Sequence, residues 1–220
     1  MTLAARMRAS AGAWCLLLVA CYLALGTLYA LRTPIWQNPD EPAHYNYLHQ
    51  FATGGGFPVL AMGDYDQAYL ERITAARFPA DLPVEPLRYE GHQPLLFDLL
   101  SAPLDAGLSA RPVEQRVAAV RLLSLLLGTG AVGFTFAAAR VVWPGRIAPA
   151  VLAALLPALL PQHLAVAASV NNDALSWSLS ALVLLLTLRL VAEPARLAQP
   201  RQAVLLGLAL GAILVTKSTA

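Results

Sequence analysis

The sequence predicts an all-α polytopic membrane protein with about five transmembrane helices and, after the first of them, a large outer loop that carries short surface helices. The first observation behind this fold class is composition, because 58% of the 220 residues are hydrophobic and only 13% are charged. An average soluble domain is about half apolar and a quarter charged. The second is that the apolar residues form stretches close to the roughly 20 residues that cross a bilayer.

Five stretches are predicted to span the bilayer. The first has no charged residue between Arg8 and Arg32, and the fourth extends past Arg189, whose side chain is long enough to reach the membrane surface. The fifth is still apolar just beyond Lys217, so we expect the chain to be the amino-terminal portion of a longer protein. The predicted spans are residues 9–31, 120–139, 147–168, 173–191 and 203–220.

Residues 32–119, between the first two spans, are predicted to be an ordered outer loop rather than a linker. This segment is far longer than the connections of a few residues that join most helices, and it is too rich in aromatic residues for a disordered segment. Residues 40 to about 53 and 94 to about 104 are predicted to form short helices along the membrane surface. Three consecutive glycines, Gly54 to Gly56, end the first of them.

Arginine in the short loops predicts the orientation of the spans. Cytoplasmic loops carry an excess of Lys and Arg, and of the 13 acidic residues only Glu193 lies on the arginine-rich side. We therefore expect a multi-pass protein of the plasma (inner) membrane, with its N-terminus in the cytoplasm, residues 32–119 outside, and membrane lipids as partners. The net charge of +2 gives no reason to expect a nucleic-acid partner. The arginines of the cytoplasmic side are Arg6, Arg8, Arg140, Arg146, Arg189, Arg196 and Arg201.

Two adjacent carboxylates, Asp40 and Glu41, open the first predicted surface helix. Ordinary capping explains them in part, because Asn38 can cap the helix, Pro39 suits its first position and Glu41 completes a capping-box-like arrangement. Capping alone does not require two carboxylates at the hydrocarbon boundary, followed directly by histidine and tyrosine. A carboxylate at a helix N-terminus stays ionised and can accept a proton from a substrate amine or hydroxyl. We predict a functional role for both carboxylates, held in place by the capping geometry.

Short motifs continue along the chain from this point. They are Pro34-x-x-x-x-Pro39-Asp40-Glu41-Pro42-x-His44-Tyr45, His92-Gln93-Pro94-Leu95, Arg121-Leu122, Val170-Asn171-Asn172-Asp173-Ala174, and Gly207-Leu208-x-x-Gly211 with Thr216-Lys217. In these motifs the chain resembles the GT-C superfamily of polytopic glycosyltransferases, which use polyprenyl-phosphate sugars. The nearest group is the protein O-mannosyltransferase and aminoarabinose-transferase type. The resemblance covers nearly the whole chain, and the Asp-Glu position is its most specific part.

The resemblance implies a function for the acidic pair and for the other polar residues of the motifs. In such enzymes the first carboxylate of the outer loop activates or orients the acceptor, which attacks the anomeric carbon of the sugar while the lipid phosphate leaves. That role falls to Asp40, with Glu41 as its partner, and the donor is expected to be a polyprenyl-phosphate-linked sugar. The candidate substrate-binding residues are His44, Tyr45, His92, Gln93, Asn172 and Lys217.

Lys217 and Asp173 each have two interpretations. A leaving phosphate needs positive charge nearby, and an ionisable group within a span tends to face an interior or a ligand; equally, Lys217 could extend to the membrane surface. In some members of the superfamily an acidic residue of the second outer loop helps to hold a divalent cation. This makes Asp173 a candidate ligand of Mg²⁺ or Mn²⁺, although Asn171 to Asp173 could equally cap the fourth span.

Two other functions stay open. Pro157 and Pro161 could interrupt the third span, and interrupted spans are common in transporters. A chain of five spans could also be a non-catalytic fragment or subunit, because members of the superfamily carry further spans. We therefore expect the 220-residue chain to be inactive in sugar transfer on its own, and the sequence leaves the acceptor open.

Overall fold

A computed structural model describes residues 3–195 and 199–218, with side chains from residue 10 onward. Within these ranges the chain forms α-helices and no β-strand, which confirms the prediction of an all-α protein. Arg196, which contributed to the predicted orientation, and residues 219–220 of the fifth predicted span lie outside the described residues. The helices are α1 (Leu3–Arg32), α2 (Glu41–Ala52), α3 (Gln67–Ala75), α4 (Leu96–Gly107), α5 (Val113–Val142), α6 (Ala148–Leu159), α7 (Pro161–Ala167), α8 (Asp173–Ala192) and α9 (Pro200–Leu214).

Three of the described helices are long and apolar enough to cross a membrane. They are Ser10–Arg32 of α1, α5 and α8, and they fall on the first, second and fourth predicted spans. α5 extends beyond its predicted span at both ends, from Val113 to Val142. Several apolar helices in one chain indicate a multi-pass membrane protein.

The third predicted span is broken. α6 and α7 occupy it, but their axes differ by 57°, so the pair counts as a fourth span only if both helices belong to one crossing. Leu160, between them, has an extended backbone (φ −65°, ψ 117°). Pro161 causes the break, because the residue before a proline is pushed out of the helical region. Pro157, by contrast, lies within α6.

The predicted count of five spans is not confirmed. α9 has 15 residues, and at 1.5 Å per residue it is about 22 Å long, shorter than a hydrocarbon core of about 30 Å. The helix ends at Leu214. The carbonyl of the next residue, Val215, accepts a hydrogen bond from the N–H of Leu96 at the start of α4 (2.8 Å). The chain therefore leaves α9 to join the short helices of the 32–119 segment.

α5 lies at the centre of the long helices and packs against α1, α6 and α8. Glycines allow its close approach to α1. A Cβ atom at Gly26 would lie 2.2 Å from Cδ1 of Leu125, and one at Gly128 would lie 2.1 Å from the hydroxyl oxygen of Tyr22. Small residues at such crossings let membrane helices pack backbone to backbone.

The short helices α2, α3 and α4 lie between α1 and α5 in the chain. α2 and α4 match the two predicted surface helices closely. α2 packs against α4 and α4 against α5, with Phe97 of α4 and Val117 of α5 in one buried cluster. The sequence analysis missed α3, although Asp66 caps it by accepting a hydrogen bond from the N–H of Tyr69 (2.9 Å).

The predicted capping box at the start of α2 is wrong. α2 begins at Glu41, and its N-cap is Asp40, which has a left-handed backbone (φ 58°, ψ 0°) and makes no side-chain capping bond. The proline of the first turn is therefore Pro42 and not Pro39. The local rules fail because the carboxylate of Glu41 points into the protein rather than back along its own helix.

Glu41 forms a buried ion pair with Arg121 of α5. Its two carboxylate oxygens accept hydrogen bonds from Nε (2.7 Å) and Nη2 (2.6 Å) of the guanidinium. The side chains of Glu41 and Arg121 are 0% and 2% exposed. The same carboxylate accepts hydrogen bonds from the backbone N–H groups of Trp36 (2.9 Å) and Val170 (3.1 Å). Glu41 is thus enclosed on all sides by protein donors.

Arg121 extends this network to the end of α1. Its Nη1 donates to the carbonyls of Ala30 (2.9 Å) and Thr33 (2.7 Å), and its Nη2 donates to that of Pro34 (3.1 Å). These carbonyls belong to the last turn of α1 and the residues after it, where no further helical turn could bind them. One arginine therefore joins the end of α1 to the start of α2.

Glu41→Gln is expected to lower the free energy of unfolding by about 3–5 kcal/mol, because the guanidinium of Arg121 would stay buried without a counter-charge. The measurement is equilibrium unfolding in mixed micelles, followed by tryptophan fluorescence. Glu85→Gln, at an exposed position, is the matched control and should stay within about 0.5 kcal/mol of the unchanged protein. Equal stability of the two variants would contradict this role of the ion pair.

Candidate functional site

A polar cleft of about 240 Å³ lies where the start of α2, the start of α8 and the residues after α9 meet. It contains five of the residues that the sequence analysis selected, drawn from segments far apart in the chain: Asp40, His44, Gln93, Asp173 and Lys217. The other residues of its lining are Pro39, Glu90, Val166 and Asn171. We call this site the Asp40 cleft.

Asp40 is exposed at the edge of the cleft. Its left-handed backbone is uncommon for a residue other than glycine, although Asp tolerates it better than most. Its Oδ1 accepts a hydrogen bond from the hydroxyl of Tyr89 (2.8 Å). Burial and the charge of Asp40 raise the pKa of Tyr89, so the phenol keeps its proton and remains a donor to the carboxylate.

Lys217 and Asp173 form an ion pair in the cleft. Asp173 is the first residue of α8, and the N-cap, Asn172, makes no side-chain capping bond. The N–H of Asp173 donates instead to Oδ1 of Asn171, one residue before the cap (3.0 Å), and the carboxylate of Asp173 faces Lys217. Lys217 follows the end of α9 and is only partly exposed. The ion pair thus holds the ammonium at the cleft rather than free at the membrane surface.

Asn172 and His92 lie beside the cleft rather than in its lining. Asn172 is buried, and its Nδ2 donates to the carbonyl of Thr216 (2.9 Å) and, more weakly, to Oε1 of Gln93 (3.4 Å). Its Oδ1 has no hydrogen-bond partner among the described residues. His92 is exposed, and its Nδ1 lies 3.0 Å from the carbonyl oxygen of Tyr89. Its Nε2 lies 3.3 Å from Nε2 of Gln93. Asn172 therefore positions Gln93 and the end of α9, and His92 contacts Gln93 at the rim.

His44 and Glu90 form the floor of the cleft. Burial lowers the pKa of His44 to about 3, with Lys217 and His92 adding to the effect, so its imidazole is neutral at physiological pH. The contact of 3.7 Å between Nε2 of His44 and Oε2 of Glu90 is therefore not an ion pair. Burial raises the pKa of Glu90, and its Oε2 has no hydrogen-bond partner in the described part of the chain.

Glu90 and Tyr89 are the site residues that the sequence analysis missed. Both precede the His92-Gln93 motif directly, and this proximity is the signal that could have found them.

Two selected residues do not reach the cleft. Glu41 is enclosed by its ion pair with Arg121, so it cannot contact a substrate in this conformation. Tyr45 follows His44 in the helix and therefore points about 100° away from it. Its hydroxyl donates to Oδ1 of Asp105 (2.9 Å), and it lines a separate cavity of about 620 Å³ on the other side of α2.

The Mg²⁺ or Mn²⁺ site predicted at Asp173 stays a prediction. No group of three or more His, Cys, Asp or Glu residues in the described ranges is arranged to hold a metal ion. The proposed ligand, Asp173, already has the ammonium of Lys217 as its counter-charge.

Comparisons with known protein families, with curated proteins and with solved structures found no significant match to this chain. The resemblance to GT-C glycosyltransferases rests on the short motifs alone.

A buried carboxyl group, Asp98 of α4, lies near the cleft. It is 2% exposed, and its Oδ1 has no hydrogen-bond partner among the described residues. Burial raises the pKa of Asp98 to about 8, and the charge of Glu90 adds to the effect. The folded protein therefore keeps a proton here at pH values where the unfolded chain, with an ordinary Asp pKa of about 4, has released it.

This proton makes stability depend on pH. The folded state binds more protons than the unfolded state between about pH 4 and pH 8, so the free energy of unfolding falls as pH rises through this range. Asn mimics the protonated carboxyl. We expect the Asp98→Asn variant to gain thermal stability over the unchanged protein progressively from pH 5 to pH 8, measured by thermal unfolding in detergent. Asp81→Asn, at an exposed position, should show no such trend. If the thermal stability of Asp98→Asn and of the unchanged protein changed with pH in parallel, the interpretation would be refuted.

Proposed function

We propose that this protein is a glycosyltransferase that moves a sugar from a polyprenyl-phosphate donor to an acceptor at the outer face of the membrane. The observation that carries the proposal is the Asp40 cleft, in which an exposed carboxylate, a lysine and several hydrogen-bonding side chains from distant motifs lie together. A transferase of this kind needs an acceptor of the proton and a positive charge for the phosphate, both in one site.

In the proposed reaction Asp40 is the catalytic base. The oxygen of the acceptor hydroxyl forms a bond to the anomeric carbon, and its proton passes to the carboxylate of Asp40. The bond between the anomeric carbon and the phosphate oxygen breaks, and the polyprenyl phosphate leaves with the electron pair. The hydroxyl of Tyr89 holds the carboxylate in place through its hydrogen bond to Oδ1.

Lys217 and His44 have distinct parts in this proposal. Lys217 stabilises the charge that develops on the phosphate, which would compete with Asp173 for the ammonium. His44 is a weak base, because a pKa of about 3 is no higher than that of an ordinary carboxylate. We therefore assign it a neutral hydrogen bond to the substrate and leave the proton transfer to Asp40.

The proposal includes the predicted topology, with the N-terminus in the cytoplasm, α9 as a fifth crossing and the 32–119 segment outside. Alternating crossings would bring the end of α1, the start of α5, the start of α8 and the end of α9 to one side of the membrane. The Asp40 cleft and the Glu41–Arg121 pair gather these same ends, which supports the arrangement. A donor whose lipid tail stays in the bilayer has to react at this boundary.

Asp40→Asn is expected to lower the turnover number by at least about 100-fold, the lower end of the range for loss of a general base. The measurement is transfer of radiolabelled sugar from polyprenyl-phosphate donors in membrane vesicles that contain the protein expressed from its complete gene. Asp81→Asn is the control, because that carboxylate is exposed and outside the cleft. Full activity of a normally expressed Asp40→Asn protein would remove the basis of the proposal.

The break between α6 and α7 supports a second candidate function. Transporters often bind solutes where membrane helices are interrupted, and the bend of 57° at Leu160 is such an interruption. A transporter would accumulate solute in sealed proteoliposomes, whereas a transferase would not. Uptake by the purified protein, without sugar transfer, would favour this candidate.

A further inference from the structure

Asp40 lies on a wall that two cavities share. One is the Asp40 cleft, which Lys217 also lines. The other is a cavity of about 350 Å³ between the loop before α2 and the end of α3. Its volume is within the roughly 300–1,000 Å³ of small-molecule sites. We call it the Trp36 cavity, and its principal lining residues are Trp36, Gln37, Asp40, Thr74, Phe78 and Tyr89.

The backbone around the Trp36 cavity is strained. In the described parts of the chain four residues other than glycine have positive φ, namely Trp36 (68°), Asp40 (58°), Arg77 (61°) and Phe78 (54°). Three of them line the cavity, and the carbonyl of Arg77 accepts a hydrogen bond from the side chain of Gln37 (3.2 Å). For bulky aromatic residues this conformation is a genuine outlier. Such strain persists mainly where ligands bind.

The interior of the protein holds the strained loop in place. The N–H of Trp36 donates to Oε2 of Glu41 (2.9 Å), and its ring packs on that of Tyr45 (5.3 Å between centroids). The position of Trp36 is therefore set by the same buried carboxylate that binds Arg121. A wall fixed in this way is suited to a preformed site.

The two cavities differ in charge. The described residues that line the Trp36 cavity include no Lys, Arg or His, and Asp40 is their one carboxylate. Aromatic rings, amides and the hydroxyl of Thr74 make up most of the rest. A phosphate would meet no cationic side chain here, whereas the Asp40 cleft offers it the ammonium of Lys217, next to the carboxylates of Asp173 and Glu90. A neutral ligand with many hydroxyl groups can donate to Asp40 and the amides and place its apolar faces on the rings.

We propose that the Trp36 cavity is the acceptor subsite and that it binds a neutral glycan. This inference rests on the proposed function. The reacting hydroxyl of the glycan reaches Asp40 from the Trp36 side, and the anomeric carbon and phosphate of the donor lie on the Lys217 side. Asp40 is then placed between the two substrates, where the base of a transfer reaction has to be.

The test fills the cavity from α3. Thr74 is exposed in the last turn of α3 and lines the cavity, so Thr74→Trp should block it. Ala75→Trp is the matched control, because it adds the same side chain at the neighbouring exposed position outside the lining. Gln37→Trp blocks the cavity from the opposite wall and repeats the test should Thr74→Trp fail to fold.

The first readout is binding of the fluorescently labelled protein to a glycan array. We expect binding to at least one neutral glycan by the unchanged protein and by Ala75→Trp, and at least tenfold weaker binding by Thr74→Trp and Gln37→Trp. Absence of binding to every glycan, or equal loss in Ala75→Trp, would overturn the inference.

The second readout is the KM for each substrate in the vesicle transfer assay. Thr74→Trp should raise the KM for the acceptor at least tenfold without changing that for the donor, and Lys217→Met should do the reverse. If the unchanged protein binds a glycan, Thr74→Trp loses that binding and no sugar transfer is detected, the glycan subsite is supported and the transferase function is refuted. If sugar transfer occurs and Thr74→Trp leaves the KM for the acceptor unchanged, the transferase function is supported and the glycan subsite is refuted. Transfer to a Ser/Thr-rich peptide and to no glycan would have the same meaning.

Discussion

The buried pair of Glu41 and Arg121 is the interaction on which the rest of the site depends. It joins the end of α1, the start of α2, the first part of α5 and, through Val170, the loop before α8. A buried ion pair is weak evidence for net stability, because the cost of removing charges from water offsets their attraction. Its contribution here is geometric: by fixing the first residue of α2, it sets the position from which Asp40 reaches the cleft.

With its first residue fixed by this ion pair, α2 separates two cavities. Its helical period places His44 toward the Asp40 cleft and Tyr45 and His49 toward the larger cavity on the other side. On that second side Asp105 is fully buried, and Arg116, His49 and Tyr45 all contact it. Hydrogen bonds from these three groups outweigh burial and hold the pKa of Asp105 below its usual range. The two faces of one short helix thus carry different electrostatics.

The sequence was informative where a property is local. α1, α5 and α8 follow from uncharged stretches of the right length, and Pro161 accounts for the break that was considered for the third span. Prediction from sequence failed where a partner far away in the chain determines the orientation of a side chain. Asn38 has every local feature of a helix cap, yet Glu41 is drawn to Arg121, 80 residues away. The carbonyl of Val215, just after α9, accepts a hydrogen bond from the N–H of Leu96, and Glu90 joins the cleft only through the folding of the 32–119 segment.

The contacts after α9 have a consequence for the order in which the protein assembles. The carbonyl of Val215 binds the N–H of Leu96, and Lys217 pairs with Asp173, so the last wall of the cleft comes from the last described residues of the chain. During synthesis, Asp40 and His44 leave the ribosome long before this wall exists. The cleft therefore forms late, after α5 and α8 have taken their places. Until then the carboxylate of Asp40 lies on the nascent chain without the residues that later enclose the cleft. Formation of the site therefore depends on prior insertion of the long helices.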